Sequence, residues 1–334
     1  MIQPMLIICP IAGVGSRLFP ITKDKPKAML KVAGKRIIDH LMDKIGKTFP
    51  NGTRICFIVG FCKEQLVEYI ENNYHSKYKL IFVEQHPTGF KKKYPFYSGL
   101  GDALALAAEY GRDDDCFIIL PDRFPLEDYT PIIETTEEKQ LDGCINAQLV
   151  EDPQHYGVLV LNSEGNIDTI IEKPKELISN IAVSGAYYFR KTLSSIMFDM
   201  LEEQSKQSIT DFKEHHFTSI IQNLIEKGFK IGHNLMKRPV LDFGRPENLL
   251  QANKALIDEI DLGNTRFFLG KETKLNDSNI GDYTSIGNNS ILENCVIENA
   301  IIGDNCKLKN VTLKNAILDD DSTNSNYQNR LIQL

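Results

Sequence analysis

The chain has no tryptophan, no Cys-x-x-Cys pair and no long apolar run. The missing tryptophan says little. The seven cysteines (Cys9, Cys56, Cys62, Cys116, Cys144, Cys295 and Cys306) are scattered and odd in number. They read as reduced thiols, several inside apolar runs, rather than as a disulfide framework or zinc ligands. No apolar stretch approaches the roughly 20 residues a membrane span needs. The beginning lacks the basic start and small-residue cleavage site of a secretory signal, so a cytoplasmic protein is expected. Basic excess is missing as well: the formal net charge is -7 over 334 residues, with 25% charged. That argues against general affinity for nucleic acid or membrane. What is plentiful is apolar content, 42%, enough for a large core and for two domains.

Against this acidic background the first segment is locally cationic. The apolar run from Leu6 ends in a small-residue loop at Ala12, Gly13, Gly15 and Ser16, and from Arg17 to Arg36 there are seven Lys/Arg and one acid, Asp24. Such a loop calls for a specific anionic ligand. Unhindered backbone N–H groups at Gly13 and Gly15, with Arg17 and Lys27 as mobile charges, are parts for holding several phosphates at once. A Walker loop is excluded because no Gly-Lys-Ser/Thr follows, and a dinucleotide fingerprint fails at Leu18, where its third glycine should stand. The plainer alternative is a surface turn before a solvated basic face.

To about residue 260, short apolar runs alternate with amphipathic stretches. Met5 to Cys9, Ile55 to Val59, Leu80 to Val83 and Phe117 to Leu120 suit strands buried on both faces. Between them Ile37 to Phe49, Leu66 to Ile70 and Ala103 to Tyr110 read as helices. The alternation predicts a Rossmann-like layered α/β domain with a mainly parallel sheet, whose ligands bind beyond the carboxyl ends of the strands. Gly157 to Glu172 reads as a β-hairpin and Ser184 to Phe189 as a further strand; helices are expected at Thr192 to Glu203, Asp211 to Lys227 and Pro246 to Ile260. Asp211 is placed to cap its helix. His215-His216 has no Cys or spaced acid beside it and is not read as zinc-binding. Beyond Leu262 apolar residues recur at Ile280, Ile286, Leu292, Ile297, Ile302, Leu308, Leu313 and Leu318, with Ile-Gly at 280, 286 and 302. This rhythm predicts a short parallel β-helix of about two coils, with a β-meander as the alternative. The expected domains are 1–262, 263–320 and a polar tail at 321–334, with the stretch from Asp319 to Asn329 read as loose.

Gly13-Val-Gly-Ser-Arg17-Leu-Phe-Pro20 followed by Lys25-Pro-Lys27-Ala-Met resembles the signature of the sugar-1-phosphate nucleotidylyltransferases, also called nucleoside diphosphate sugar pyrophosphorylases. Ser16 replaces the usual Thr and keeps the hydroxyl; Pro10 departs from the pattern and removes an N–H. The resemblance covers about residues 5 to 260, and a left-handed β-helix at the C-terminus also occurs in the family. It implies catalytic roles for Arg17, Lys27 and Lys173. It implies nucleotide contacts from Ala12, Gly13, Gly15, Ser16, Gln85, Gly101 and Asp102, Gly99 to Leu104 being similar to a base-binding turn preceded by Glu84-Gln85. Tyr156, Gly157, Glu172, Lys173, Asn180, Ser184 and Gly185 look like sugar-phosphate contacts. Asp122 and Asp242 look like ligands of magnesium, although Val240 stands where a Trp is often found.

The implied reaction joins a nucleoside triphosphate to a sugar-1-phosphate and releases pyrophosphate. Two like charges at 4 Å repel by about 1 kcal/mol in water and about 4 at an effective dielectric near 20, so the two anions need cations to meet. Arg17 can grip a triphosphate in a fork, Lys27 can neutralise its leaving oxygens and Lys173 can hold the incoming phosphate. Magnesium commonly takes only one or two protein carboxylates. No covalent intermediate is required; positioning and charge stabilisation can supply the acceleration. Taken alone, Asp122 reads equally as a post-strand capping carboxylate, and Lys173 as a surface lysine at a hairpin end. The expected substrates are glucose-1-phosphate with UTP or dTTP. The alternatives are a mannose-1-phosphate guanylyltransferase, an N-acetylglucosamine-1-phosphate uridylyltransferase, or a non-catalytic nucleotide-sugar-binding regulator of the same fold. No His follows His233, so acyl transfer by the β-helix is not expected; assembly into a homo-oligomer or regulation is.

Overall fold

The computed structural model describes residues 5–91, 93–208 and 216–334. Lys92, Asp211 and His215 lie outside the described residues. The chain divides into two compact units, Met1–Gly13 with Met42–Val240, and Val14–Leu41 with Leu241–Leu334. Among the described residues no helix is long and apolar enough to cross a membrane.

The first unit is built on a nine-stranded sheet. Its strands are β1 (Leu6–Pro10), β2 (Arg54–Val59), β3 (Lys79–Glu84), β4 (Cys116–Ile119), β5 (Gly143–Leu149), β6 (Gly157–Leu161), β7 (Ile167–Glu172), β8 (Ile181–Phe189) and β9 (Ile231–Leu235). The order is β7-β6-β8-β4-β1-β2-β3, with β5 pairing both β8 and β9. β4, β1, β2 and β3 run parallel, so Leu6 stands opposite both Arg54 and Cys116. β8 runs antiparallel to β4 and begins the half of the sheet that holds the β6–β7 hairpin. The apolar runs behave as their composition requires: Leu6, Ile7, Ile8 and Cys9 are all fully buried, as strands covered on both faces must be. On one face Leu6, Ile8, Ile58, Ile118 and Tyr187 pack against Leu193, Met197, Phe217 and Ile221. Each such side chain contributes roughly 1.5–3 kcal/mol by leaving water. Elsewhere in this unit Phe117 meets Phe49 and Tyr129 edge-on at 5.0 and 5.3 Å.

Three details differ from expectation. The Ala-rich helix is two short ones, Leu100–Ala105 and Ala108–Gly111. Strands β5 and β9 carry no clean apolar pattern because each has a mid-strand asparagine. The structure pairs the two: Asn234 Nδ2 donates to Asn146 Oδ1 at 2.9 Å, which offsets much of the desolvation cost of placing amides there. The helix expected from Asp211 is described as Phe217–Glu226.

In the second unit the C-terminal strands stack in parallel. Phe268 stands opposite Ser285, Ser285 opposite Ile301, and Ile301 opposite Ile317, so the chain passes this face four times and completes three coils, not two. Each coil takes 16 or 17 residues, which is why the apolar steps are irregular. Three corners turn through left-handed residues, among them Asn289, Asn294, Asn299, Asn305, Asn310 and Asn315, a conformation asparagine tolerates better than most. The corner amides stack on their counterparts one coil on: Asn294 donates to Asn310 and Asn299 to Asn315, both at 2.7 Å. The Ile-Gly pairs have an equally direct cause. A Cβ on Gly287 would lie 2.6 Å from the backbone of Gly303, and one on Gly303 2.4 Å from the backbone of Asp320. Ser322, in the stretch read as loose, is buried and accepts from Lys307 N at 2.8 Å; beyond it Leu331–Gln333 adds an antiparallel strand to Thr312–Leu318 and covers an edge that would otherwise be unpaired.

Candidate active site

In the first unit the parallel strands bring their following loops to one edge of the sheet. After β1, Ile11 N donates to Ile58 O at 2.8 Å, and Phe61 N to Ala12 O at 3.1 Å. This tethers the first loop to the one after β2. Pro10 ends β1, and the chain's next ladder bond is made by Ile11, so the missing N–H is accommodated. Ala12 is buried, whereas Gly13 is exposed and a Cβ there would meet nothing within 4 Å; its backbone is open to a ligand. After β3, buried Gln85 sets Nε2 at 3.5 Å from Gly99 O, placing it against the turn that leads into Gly101 and Asp102, both buried at the start of their helix. Glu84, read as Gln85's companion, is taken by Lys63, whose hydrogen bond holds the Glu84 carboxyl below its usual range.

After β4 the chain turns sharply. Leu120 N donates to Gly185 O at 2.8 Å and Arg123 N to Leu120 O at 3.0 Å, with half-buried Asp122 in the turn. Gly185 has φ +87, and a Cβ there would lie 2.6 Å from Arg123 Cβ; conformation and close approach both require glycine. The Arg123 guanidinium lies over the Tyr156 ring, 4.9 Å from its centroid. Gly157 stands opposite Glu172 in the hairpin ladder. Lys173 N donates to Tyr156 O at 2.9 Å and the residue adopts a left-handed φ of +46, with Nζ 3.3 Å from Glu172 Oε1. Tyr187 senses this cluster: burial pushes its phenol up, Glu172 and Asp122 add to the rise, and Arg123 opposes it. The structure thus gathers Asp122, Tyr156, Gly157, Glu172, Lys173 and Gly185 around Arg123. Ser184 is buried, with no hydrogen-bond partner for Oγ among the described residues, and Asn180 is exposed at the entrance to β8. Arg123 was missed by sequence reasoning; its only signal was a cation directly after Asp122.

The second unit holds the rest of the signature. Gly15 has a left-handed φ of +67 and precedes a 3-10 turn at Ser16–Leu18. Thr22 Oγ1 and Leu18 N both donate to Gly15 O, at 2.8 and 2.9 Å. A Cβ on Gly15 would come within 3.2 Å of Lys27 Cβ, so the two halves of the basic loop are folded against each other. Ser16 and Arg17 are exposed and Lys27 half-buried. Asp242 accepts from Gly244 N at 2.6 Å through Oδ1 and from Asn248 Nδ2 at 2.8 Å through Oδ2; Asn248 is a further partner that the motif did not reveal. These bonds fix the position of the carboxylate, whose oxygens are donors of the hard type that magnesium takes. Among the described residues no cluster of three or more His, Cys, Asp or Glu could hold a metal. A lone carboxylate such as Asp122 in the first unit or Asp242 in the second is a hard oxygen donor, which suits magnesium rather than zinc.

A family whose description is nucleotidyl transferase matches residues 8–259. The chain belongs to this nucleotidyl transferase family. It is 33% identical over 260 residues to the bifunctional protein GlmU of Methanocaldococcus jannaschii, which covers 77% of this chain and 55% of GlmU; the chain therefore spans about half the length of the GlmU relatives it matches. It is 26% identical over 322 residues to the low-salt glycan biosynthesis nucleotidyltransferase Agl11 of Haloferax volcanii, covering 87% of this chain and 85% of Agl11. Among solved structures it resembles a Bacillus anthracis protein assigned as a glucose-1-phosphate thymidylyltransferase, with TM-score 0.63 and 26% identity over 78% of this chain and 98% of that one.

Proposed function

We propose that this protein is an enzyme that transfers a nucleotidyl group from a nucleoside triphosphate to a sugar-1-phosphate, giving nucleotide-sugar and pyrophosphate. The observation that carries the reading is the folded basic loop, in which Lys27 packs against the turn that holds Gly15, Ser16 and Arg17 in an otherwise acidic chain. Arg17 and Lys27 bind and neutralise the triphosphate, and Gly13 and Gly15 offer backbone N–H groups to its oxygens. Ala12 and Ser16 complete that contact, and Gln85, Gly101 and Asp102 read the base. Tyr156, Gly157, Glu172, Asn180, Ser184 and Gly185 seat the sugar, while Lys173 orients its phosphate for in-line attack. Magnesium, held by Asp122 and Asp242, supplies charge neutralisation on the phosphates.

The preferred substrates are glucose-1-phosphate with UTP or dTTP. The curated relatives that support this choice include the UTP–glucose-1-phosphate uridylyltransferase AglF of Haloferax volcanii, 28% identical over 250 residues. Guanylyl transfer to mannose-1-phosphate and uridylyl transfer to N-acetylglucosamine-1-phosphate are the competing outcomes. The reaction is assigned to the cytoplasm and to a homo-oligomer. The test is pyrophosphate release from a panel of triphosphates and sugar phosphates with magnesium. Turnover with a pyrimidine triphosphate and glucose-1-phosphate is expected; silence across the panel would leave a nucleotide-sugar-binding regulator.

A further inference from the structure

The second unit contains an ion-pair system that no signature motif demands. Lys25 Nζ lies 2.5 Å from Asp319 Oδ1 and 2.6 Å from Asp320 Oδ2. Lys31 Nζ lies 2.6 and 2.7 Å from the two oxygens of Asp304. Both lysines flank Lys27 on the basic loop; all three acids belong to the last coils of the solenoid. The lysine stems line the same small cavity as Leu30, Ile301, Ile317 and Leu318, with their heads turned to the carboxylates, as amphipathic side chains arrange themselves. Burial alone would lower the Lys25 pKa, but Asp320 and Asp319 outweigh it and the ammonium is held charged. Lys25 in turn overcomes the burial of Asp320 and keeps its carboxyl below the usual range.

The acids have a second engagement, and it makes the system testable. Asn288, Asp304 and Asp320 occupy equivalent positions on successive coils. Lys271 N donates to Asn288 Oδ1 at 2.9 Å, Asn288 N to Asp304 Oδ1 at 2.7 Å, and Asp304 N to Asp320 Oδ1 at 2.8 Å. An asparagine therefore does the structural work of this column at its first step. Only where the column meets the lysines of the basic loop does it carry carboxylates. The bond that Asp304 and Asp320 make within the column is one that an asparagine oxygen also makes at Asn288.

We infer that Asp304, Asp319 and Asp320 are positioning residues for the phosphate-binding loop: through Lys25 and Lys31 the solenoid fixes where Lys27 stands. The inference rests on the proposed triphosphate role of that loop. Lys25 is separated from Lys27 only by Pro26, whose ring restricts the backbone, and Lys27 opens the 3-10 turn Lys27–Met29. A clamp on Lys25 and Lys31 therefore brackets Lys27 on both sides. Small misplacement of such a cation is costly, since effective molarity falls steeply with distance.

The test uses full-length protein carrying Asp304→Asn with Asp320→Asn, which keeps a side-chain oxygen to accept from each backbone N–H and removes the charge. Hydrogen exchange of residues 16–30, measured without substrate, is expected to quicken by about tenfold or more while β4 stays unchanged. The triphosphate KM is expected to rise, or kcat to fall, by roughly tenfold or more, with the sugar-phosphate KM within about twofold. Glu298→Gln, which removes an exposed pair with Lys314 on the same solenoid, is expected to match wild type. Unchanged loop exchange overturns the inference, as does unchanged triphosphate kinetics. If the doubly substituted solenoid unfolds, Lys31→Met leaves the column intact and gives the same readings. Should wild type release no pyrophosphate with any substrate pair, the proposed reaction fails, and loop exchange alone still decides whether the clamp exists.

Discussion

The sheet unit and the solenoid unit make opposite use of polar side chains. In the solenoid the corner amides are stacked on copies of themselves 16 residues away, as in Asn294 on Asn310 and Asn299 on Asn315. In the sheet unit the interiors of the parallel strands β1, β2, β3 and β4 are apolar, and polar residues collect in the loops at the carboxyl ends, where Asp122, Glu172 and Lys173 stand half-buried or exposed. A repeat satisfies its polar groups internally and leaves little for a ligand. A non-repeating sheet ends in loops of different sequence, and these can be aimed at a substrate.

The sharpest contrast is between cations of the two kinds. Lys27→Ala and Lys173→Ala should each lower pyrophosphate release by about a hundredfold or more. Lys309→Ala, which removes only an exposed solenoid pair with Glu293 at 2.8 Å, should leave the rate unchanged. Steady-state kinetics on the three variants checks this. Arg123→Ala should raise the sugar-phosphate KM by about tenfold or more, because it removes the guanidinium packed on Tyr156; a larger effect on the triphosphate KM would move Arg123 to the other substrate.

Stability should separate the two regions by mechanism. Ile118→Ala in the sheet core and Leu308→Ala in the solenoid core each remove a buried side chain and should cost about 2–5 kcal/mol in urea titrations. Asn294→Ala should cost about 1–2 kcal/mol, for the left-handed backbone and the lost amide contact, and Asn294→Gly clearly less. The smallest effect concerns thiols. Burial pushes Cys56, Cys116, Cys144 and Cys306 up to about 12, so these stay protonated well above neutral pH and unreactive. Cys62, only half-buried, should be the first thiol alkylated by iodoacetamide at pH 8 in the folded protein, as peptide mapping would show.

Legibility followed the same division. The strands of the parallel core could be read within a residue or two because Leu6 to Cys9 and Phe117 to Ile119 are apolar on both faces. β5 and β9 could not, because Asn146 and Asn234 disguise them and only their mutual hydrogen bond explains them. The Gly15–Lys27 loop was visible as a motif. Arg123 was not, since its role depends on Tyr156, 33 positions away in the chain. The Lys25 and Lys31 clamp was invisible for the same reason: its acids lie nearly 300 residues downstream, inside a segment whose apolar rhythm alone had drawn notice.

The central claim is that residues scattered along the chain hold one polyphosphate. A crystal structure of the protein with magnesium and a non-hydrolysable nucleoside triphosphate tests it most directly. The account predicts phosphate oxygens on Arg17, Lys27 and the backbone of Gly13 and Gly15, and the metal on Asp122 and Asp242. Triphosphate bound away from the Gly13–Lys27 loop, or a metal that touches neither aspartate, would contradict it.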